Sequence, residues 1–176
     1  MRKQFEVKRM NIELFKEKLE QTREKIEVLL SNTPIKAEVK VYFENSKHER
    51  CERESKECRY VNGDIYFLPE GAEEKDAYLF GICLYMKGDE LIYPSSKKYT
   101  PSAEEEVAEM LNNALEYAEA LSKSEDPVTD MAYDRERSRS IMAEYERNVE
   151  KMKKRSLIIL GIGIAAIAAV LLVSLL

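Results

Sequence analysis

Residues 157–176 read LIILGIGIAAIAAVLLVSLL, a run with no charged side chain in which only Gly161, Gly163 and Ser174 leave the aliphatic set. About 20 consecutive apolar residues is the length a helix needs to cross the hydrocarbon core of a bilayer. In lipid the backbone must satisfy its own hydrogen bonds, which a helix does, whereas a buried core helix of that length would carry a polar stripe. The run is therefore expected to be a transmembrane helix in contact with membrane lipid. Lys151, Lys153, Lys154 and Arg155 stand immediately before it, and no charge follows. Positive flanks stay in the cytosol, so the N-terminal portion is expected on the cytosolic side of a single-pass, tail-anchored chain (at the inner membrane if the cell is bacterial). The opening MRKQFEVKRMNIELF has no apolar centre and does not read as a signal peptide.

The whole chain carries a net charge of −5, and setting aside the four flanking basic residues leaves the remainder more acidic still. Such a surface argues against a nucleic-acid partner and is repelled by anionic lipid outside the basic collar. On the cytosolic side Cys51, Cys58 and Cys83 are expected to be reduced, without structural disulfides.

Glycine and proline divide the rest. Gly63, Gly71, Gly81 and Gly88, with Pro34, Pro69, Pro94 and Pro101, all fall in the centre, and the flanking stretches hold only Pro127. That punctuation marks strands and turns between helical arms. In the first arm Phe5, Ile12, Phe15, Leu19, Ile26 and Leu29 follow heptad-like spacing, interrupted by Lys8 and Thr22. Such a stripe packs on a sheet or pairs with another helix. Ser31 to Pro34 ends it, since a residue before proline avoids the helical region.

Ile35, Ala37, Val39, Val41 and Phe43 alternate with Lys36, Glu38, Lys40, Tyr42 and Glu44, the period of a half-buried strand. Asn62-Gly63, between Tyr60-Val61 and Ile65–Leu68, matches the preferred pair for a tight hairpin turn. Ala77–Met86 is almost wholly apolar and reads as a central strand covered on both faces. Lys87-Gly88-Asp89 then turns into Leu91–Tyr93. Ser102 with Glu105 forms a capping box for a helix whose apolar face runs from Val107 to Leu121. After Pro127 a polar helix reaches the membrane run, with Met142, Tyr145, Val149 and Met152 spaced as a narrow heptad seam.

The expected architecture is α+β: an N-terminal helix, an antiparallel meander of four or five strands, a covering helix, and a long helical stalk continuous with the C-terminal transmembrane helix. The domains are 1–125 (cytosolic domain), 126–155 (juxtamembrane stalk) and 156–176 (anchor).

Chemistry is sparsely marked. His48, Cys51 and Cys58 give H-x2-C-x6-C, three weak candidate ligands where structural zinc takes four at tighter spacing; the basic neighbours Arg50, Arg53 and Lys56 could instead lower a thiol pKa for redox sensing. Ser95 to Lys98 spells S-x-x-K, but it lies in a loop without the motifs that accompany that signature in acyl enzymes. Glu104, Glu105 and Glu106 complement a helix dipole. With one histidine and no acid, base and nucleophile set, no catalytic residue and no cofactor are assigned. Tyr42, on the wet face of the first strand, is a candidate contact residue. Gly161, Ala165 and Ala169 repeat at the spacing that lets membrane helices approach closely. The reading is a tail-anchored protein whose cytosolic domain binds another protein; the alternatives are a self-associating structural subunit and a thiol or metal sensor at the His48–Cys58 loop.

Overall fold

A computed structural model describes residues 10–52, 55–94 and 102–174, with side chains through residue 154. It is an α+β chain: helix α1 (Ile12–Leu30), strands β1 (Ile35–Asn45), β2 (Arg50–Cys51), β3 (Cys58–Pro69), β4 (Tyr78–Lys87) and β5 (Glu90–Ile92), then helices α2 (Ala103–Lys123) and α3 (Pro127–Ser174), with a short 3-10 helix at Glu74–Asp76. The chain forms two compact units, Met1–Ala132 and Tyr133–Leu176.

In the first unit, α1 begins where the Asn11 side chain accepts the Leu14 N–H at 2.8 Å, which supplies a partner to one of the donors a helix start leaves open. Its buried face is Ile12, Phe15, Leu19, Thr22, Ile26 and Leu30. Leu30, rather than the expected Leu29, completes that face, and Leu29 is exposed. A straight helix lying on its own sheet follows a 3.6-residue period, and the stripe drifts away from a heptad. Phe5 and Lys8 lie outside the described residues.

The strands form one antiparallel sheet in the order β2-β1-β3-β4-β5. The charged stretch 44–59 includes β2, which pairs with Phe43 and Glu44 of β1. The expected hairpin at Asn62-Gly63 does not form. Residues 58–69 are one unbroken strand, paired with β1 on one side and β4 on the other. Gly63 is needed there for close approach and not for a turn, because a β-carbon on it would lie 2.3 Å from the Phe15 ring. β3, not β4, is the strand buried on both faces: β4 exposes Leu79 and Tyr85. The β4–β5 turn forms as expected at Gly88, whose φ of +62° suits glycine.

Successive strand residues face opposite sides. Val61, Ile65 and Phe67 of β3 and Ile82 and Leu84 of β4 join Phe15, Leu19 and Ile26 of α1 and Val107, Ala114 and Ala118 of α2 in the core. Helix α2 starts with the expected capping box: Ser102 Oγ accepts from Glu105 N–H while the Glu105 carboxylate accepts from Ser102 N–H. Tyr117 of α2 stacks on Tyr78 and meets Phe67 edge-on. The core extends past residue 125, since Met131 is buried and Val128 packs against it.

The second unit is helical, and Ile141, Met142, Tyr145 and Met152 are each 58–63 % exposed along it. Among the described residues no helix is long and apolar enough to cross a membrane. The side chains of 157–176, including Gly161, Ala165 and Ala169, and that of Arg155 lie outside the described residues.

Candidate functional site

Both α1 and α2 contribute to one face of the sheet. The other face holds Lys36, Glu38, Lys40, Tyr42 and Glu44 of β1, Tyr60, Asn62, Asp64, Tyr66 and Leu68 of β3, and Leu79, Gly81, Cys83 and Tyr85 of β4. The register sets these side by side in rows: Tyr42–Asn62–Cys83, Lys40–Asp64–Gly81, and Glu38–Tyr66–Leu79. No helix is needed to bury the centre of this face, because long neighbouring side chains fold over it. The Arg50 guanidinium lies 4.6 Å from the centre of the Tyr42 ring, and Lys40 Nζ lies 4.9 Å from that of Tyr66, geometries in which the cation is drawn to the ring face. Lys40 is also ion-paired with Glu74.

Asp64 sits at the middle, 5 % exposed. Tyr66 donates its hydroxyl to the carboxylate at 3.1 Å. Burial pushes the Asp64 carboxyl above its ordinary range, while hydrogen bonds from Tyr66 and Tyr42 and the Arg50 charge pull it partly back. The Gly81 backbone opens the room this carboxylate occupies: a β-carbon at Gly81 would lie 2.5 Å from Asp64 Oδ1. Tyr42 is pushed up to about 12, by burial first and then by the Asp64 charge and hydrogen bond. Tyr66 moves in the same direction for the same leading reasons. Cys83 is raised by burial, then by Glu44 and Asp64, so its thiol is held protonated, the opposite of what a nucleophilic cysteine requires.

Asn62, 7 % exposed, has a side-chain N–H2 with no hydrogen-bond partner among the described residues. An unmet buried donor costs about 1–3 kcal/mol. At the β1–β2 end, His48 Nδ1 lies 3.1 Å from Glu44 Oε2 and its ring stacks on Tyr60 at 4.9 Å; Tyr60 in turn meets Tyr85 edge-on.

Tyr42 lies on the helix-free face as the alternation required, but half-buried under Arg50. Periodicity missed Asp64 and Asn62, because Asn62-Gly63-Asp64 has the composition of a turn. The available signal was the alternation continuing through it: Val61, Ile65 and Phe67 inward, Asn62, Asp64 and Tyr66 outward.

Of the weak metal candidates, the structure joins Cys51 to Cys58 in a disulfide with Cα atoms 6.1 Å apart, against the expectation of reduced cysteines. The turn after β1 returns the chain so that Phe43 faces Cys51, and Cys58 opens β3 beside Asn45, which places the two within bridging distance. His48 is turned toward Glu44 and Tyr60. Among the described residues no group of three or more His, Cys, Asp or Glu is placed to hold a metal.

No protein-family model, curated protein or solved structure matches the chain.

Proposed function

We propose that this protein is a tail-anchored membrane protein whose folded domain is a protein-interaction module held at the cytosolic surface of the bilayer. The observation that carries the reading is the face of the sheet opposite α1 and α2: tyrosines capped by Arg50 and Lys40, with Leu79 and Tyr85 exposed beside them. Tyrosine and arginine are enriched where proteins meet. The raised pKa values of Cys83, Tyr42 and Tyr66 suit hydrogen bonding and contact rather than nucleophilic chemistry. Membrane attachment rests on the apolar run 157–176 and its basic flank.

The test is crosslinking of tagged full-length chain in cells, followed by detergent extraction and mass spectrometry. A distinct protein linked through residues 10–132 supports the module, and a soluble chain with no links to others sinks it. A second reading, self-association, is favoured by the exposed Ile141, Met142, Tyr145 and Met152. Self-links confined to 133–176 would establish it in place of the first.

A further inference from the structure

The free edge of β4 is built differently from the other edge of the sheet. β5 covers only Tyr85, Met86 and Lys87. It stops at Ile92, and Pro94 has no N–H with which to continue the ladder. From Tyr78 to Leu84, roughly 20 Å of strand at about 3.4 Å per residue, no strand pairs the outer side of β4 among the described residues.

The parity of that edge is fixed by the turn. A two-residue hairpin closes on a hydrogen-bonded pair, here Lys87 and Glu90. The N–H and C=O groups of Lys87 and Tyr85 therefore point to β5, and those of Cys83, Gly81 and Leu79 point to the open side. Natural edges are blunted by charge or proline. β1, free beyond β2, carries Lys36, Glu38 and Lys40 along its exposed stretch, whereas Tyr-Leu-Phe-Gly-Ile-Cys-Leu from Tyr78 carries neither charge nor proline.

A groove of about 550 Å³ runs along this edge, bounded on the far side by α2. Residues 78–83 all line it in unbroken succession, although their side chains alternate between faces. That is possible only where the backbone edge itself forms the wall. Among the described residues, the charged side chains of its lining are two carboxylates, Glu106 and Glu109 of α2.

We infer that the β4 edge accepts an extended, lysine- or arginine-bearing segment of a partner protein as an added strand, its main chain pairing with Leu79, Gly81 and Cys83 and its cationic side chains facing Glu106 and Glu109. The inference rests on the interaction-module reading and names its partner chemistry. Strand addition draws affinity from main-chain hydrogen bonds and specificity from alternate side chains; here the carboxylates of α2 select for positive charge.

The probe is an acetylated hexapeptide alternating valine and lysine, with a valine–glutamate hexapeptide as its counterpart, added to isotope-labelled full-length chain in detergent micelles. The lysine peptide should shift and protect the amides of Leu79, Gly81 and Cys83, and the glutamate peptide should not. Leu79→Pro removes one edge donor without touching the β3 ladder and should weaken binding about tenfold, the worth of one such bond. If Leu79→Pro fails to fold, the double charge reversal Glu106→Lys and Glu109→Lys on the groove-lining side of α2 serves instead, and should transfer preference to the glutamate peptide. Edge amides already slow to exchange in the free chain, whether covered by the chain itself or by a second copy, would overturn the inference, as would binding of neither peptide or of both alike. A cellular partner crosslinked only through Tyr42, Lys40 and their neighbours would overturn it while leaving the wider reading intact; peptide binding without any cellular partner would do the reverse.

Discussion

Phe15 fills the space above Gly63: a β-carbon there would stand 2.3 Å from the Phe15 ring and 2.7 Å from a Leu19 methyl. Helix α1 thus rests directly on the backbone of β3, and the residue that reads as a turn glycine is a packing glycine. Gly63→Ala is expected to destabilise the domain by about 1–3 kcal/mol, the usual cost of overpacking a filled core. Urea unfolding of the full chain in micelles measures it. Adding Phe15→Leu should recover part of the loss, because the two nearest ring atoms go while the Leu19 contact stays. Additive losses in the double variant would mean the two positions do not touch.

Asp64 makes stability depend on pH in a direction opposite to most carboxylates. Its folded value is raised above the ordinary 3.8, so the folded state holds a proton that the unfolded chain releases more readily. The contribution to stability is complete below 3.8 and is lost as pH rises through the raised value. Asp64→Asn should therefore be more stable than the parent at pH 7, with the gap closing on acidification toward 3.8. Unfolding midpoints across that range test it, and a less stable Asn variant at pH 7 would show that the phenol bonds to the carboxylate outweigh its desolvation.

Ser102→Ala removes the side-chain half of the α2 capping box and is expected to cost about 1 kcal/mol. Glu105→Ala should cost less, since Ser102 still accepts from the Glu105 N–H. Equal losses from both, read by thermal unfolding, would mean the two halves act as one unit.

The Cys51–Cys58 bridge closes a short loop. Thiol counting in denaturant should find one reactive cysteine before reduction, Cys83, and three after. Paired Cys51→Ser and Cys58→Ser substitutions should lower stability under oxidising conditions by about 2 kcal/mol, the loop-closure value for a span of this size, and by less under reducing conditions. Chain extracted from cells with alkylation at the moment of lysis should show which state the cell maintains; three alkylated cysteines would identify the pair as a dithiol there.

Much of the fold is legible in the sequence because local signals agree with tertiary context. The alternation from Ile35 to Phe43, the Ser102–Glu105 box and the Val107–Leu121 face each describe one element, and each forms. The failures come where a residue answers to a neighbour distant in sequence. Asn62-Gly63 has hairpin chemistry, yet Phe15 and Leu19 need a bare backbone beneath them and the ladders to β1 and β4 run straight through. Leu29 satisfied a heptad, but α1 lies on a sheet and turns Leu30 inward. The burial of Asp64 was invisible for a related reason: it depends on Tyr42, Tyr66 and Arg50, which no local pattern brings around it.

The strand order has a consequence in time. β1, β3, β4 and β5 each pair with the next of the four, β2 lies in the loop that joins β1 to β3, and the one large contact between distant segments is that of α1 with α2. A chain emerging from the ribosome can assemble its sheet step by step while Phe15, Leu19 and Ile26 have only part of their cover. Helix α2, then Val128 and Met131, complete the cover, and they are made shortly before the apolar run at 157–176. The nascent domain therefore gains its last internal partner just before a second hydrophobic segment appears, so that a delay in docking α2 would leave two adhesive surfaces on one chain at once.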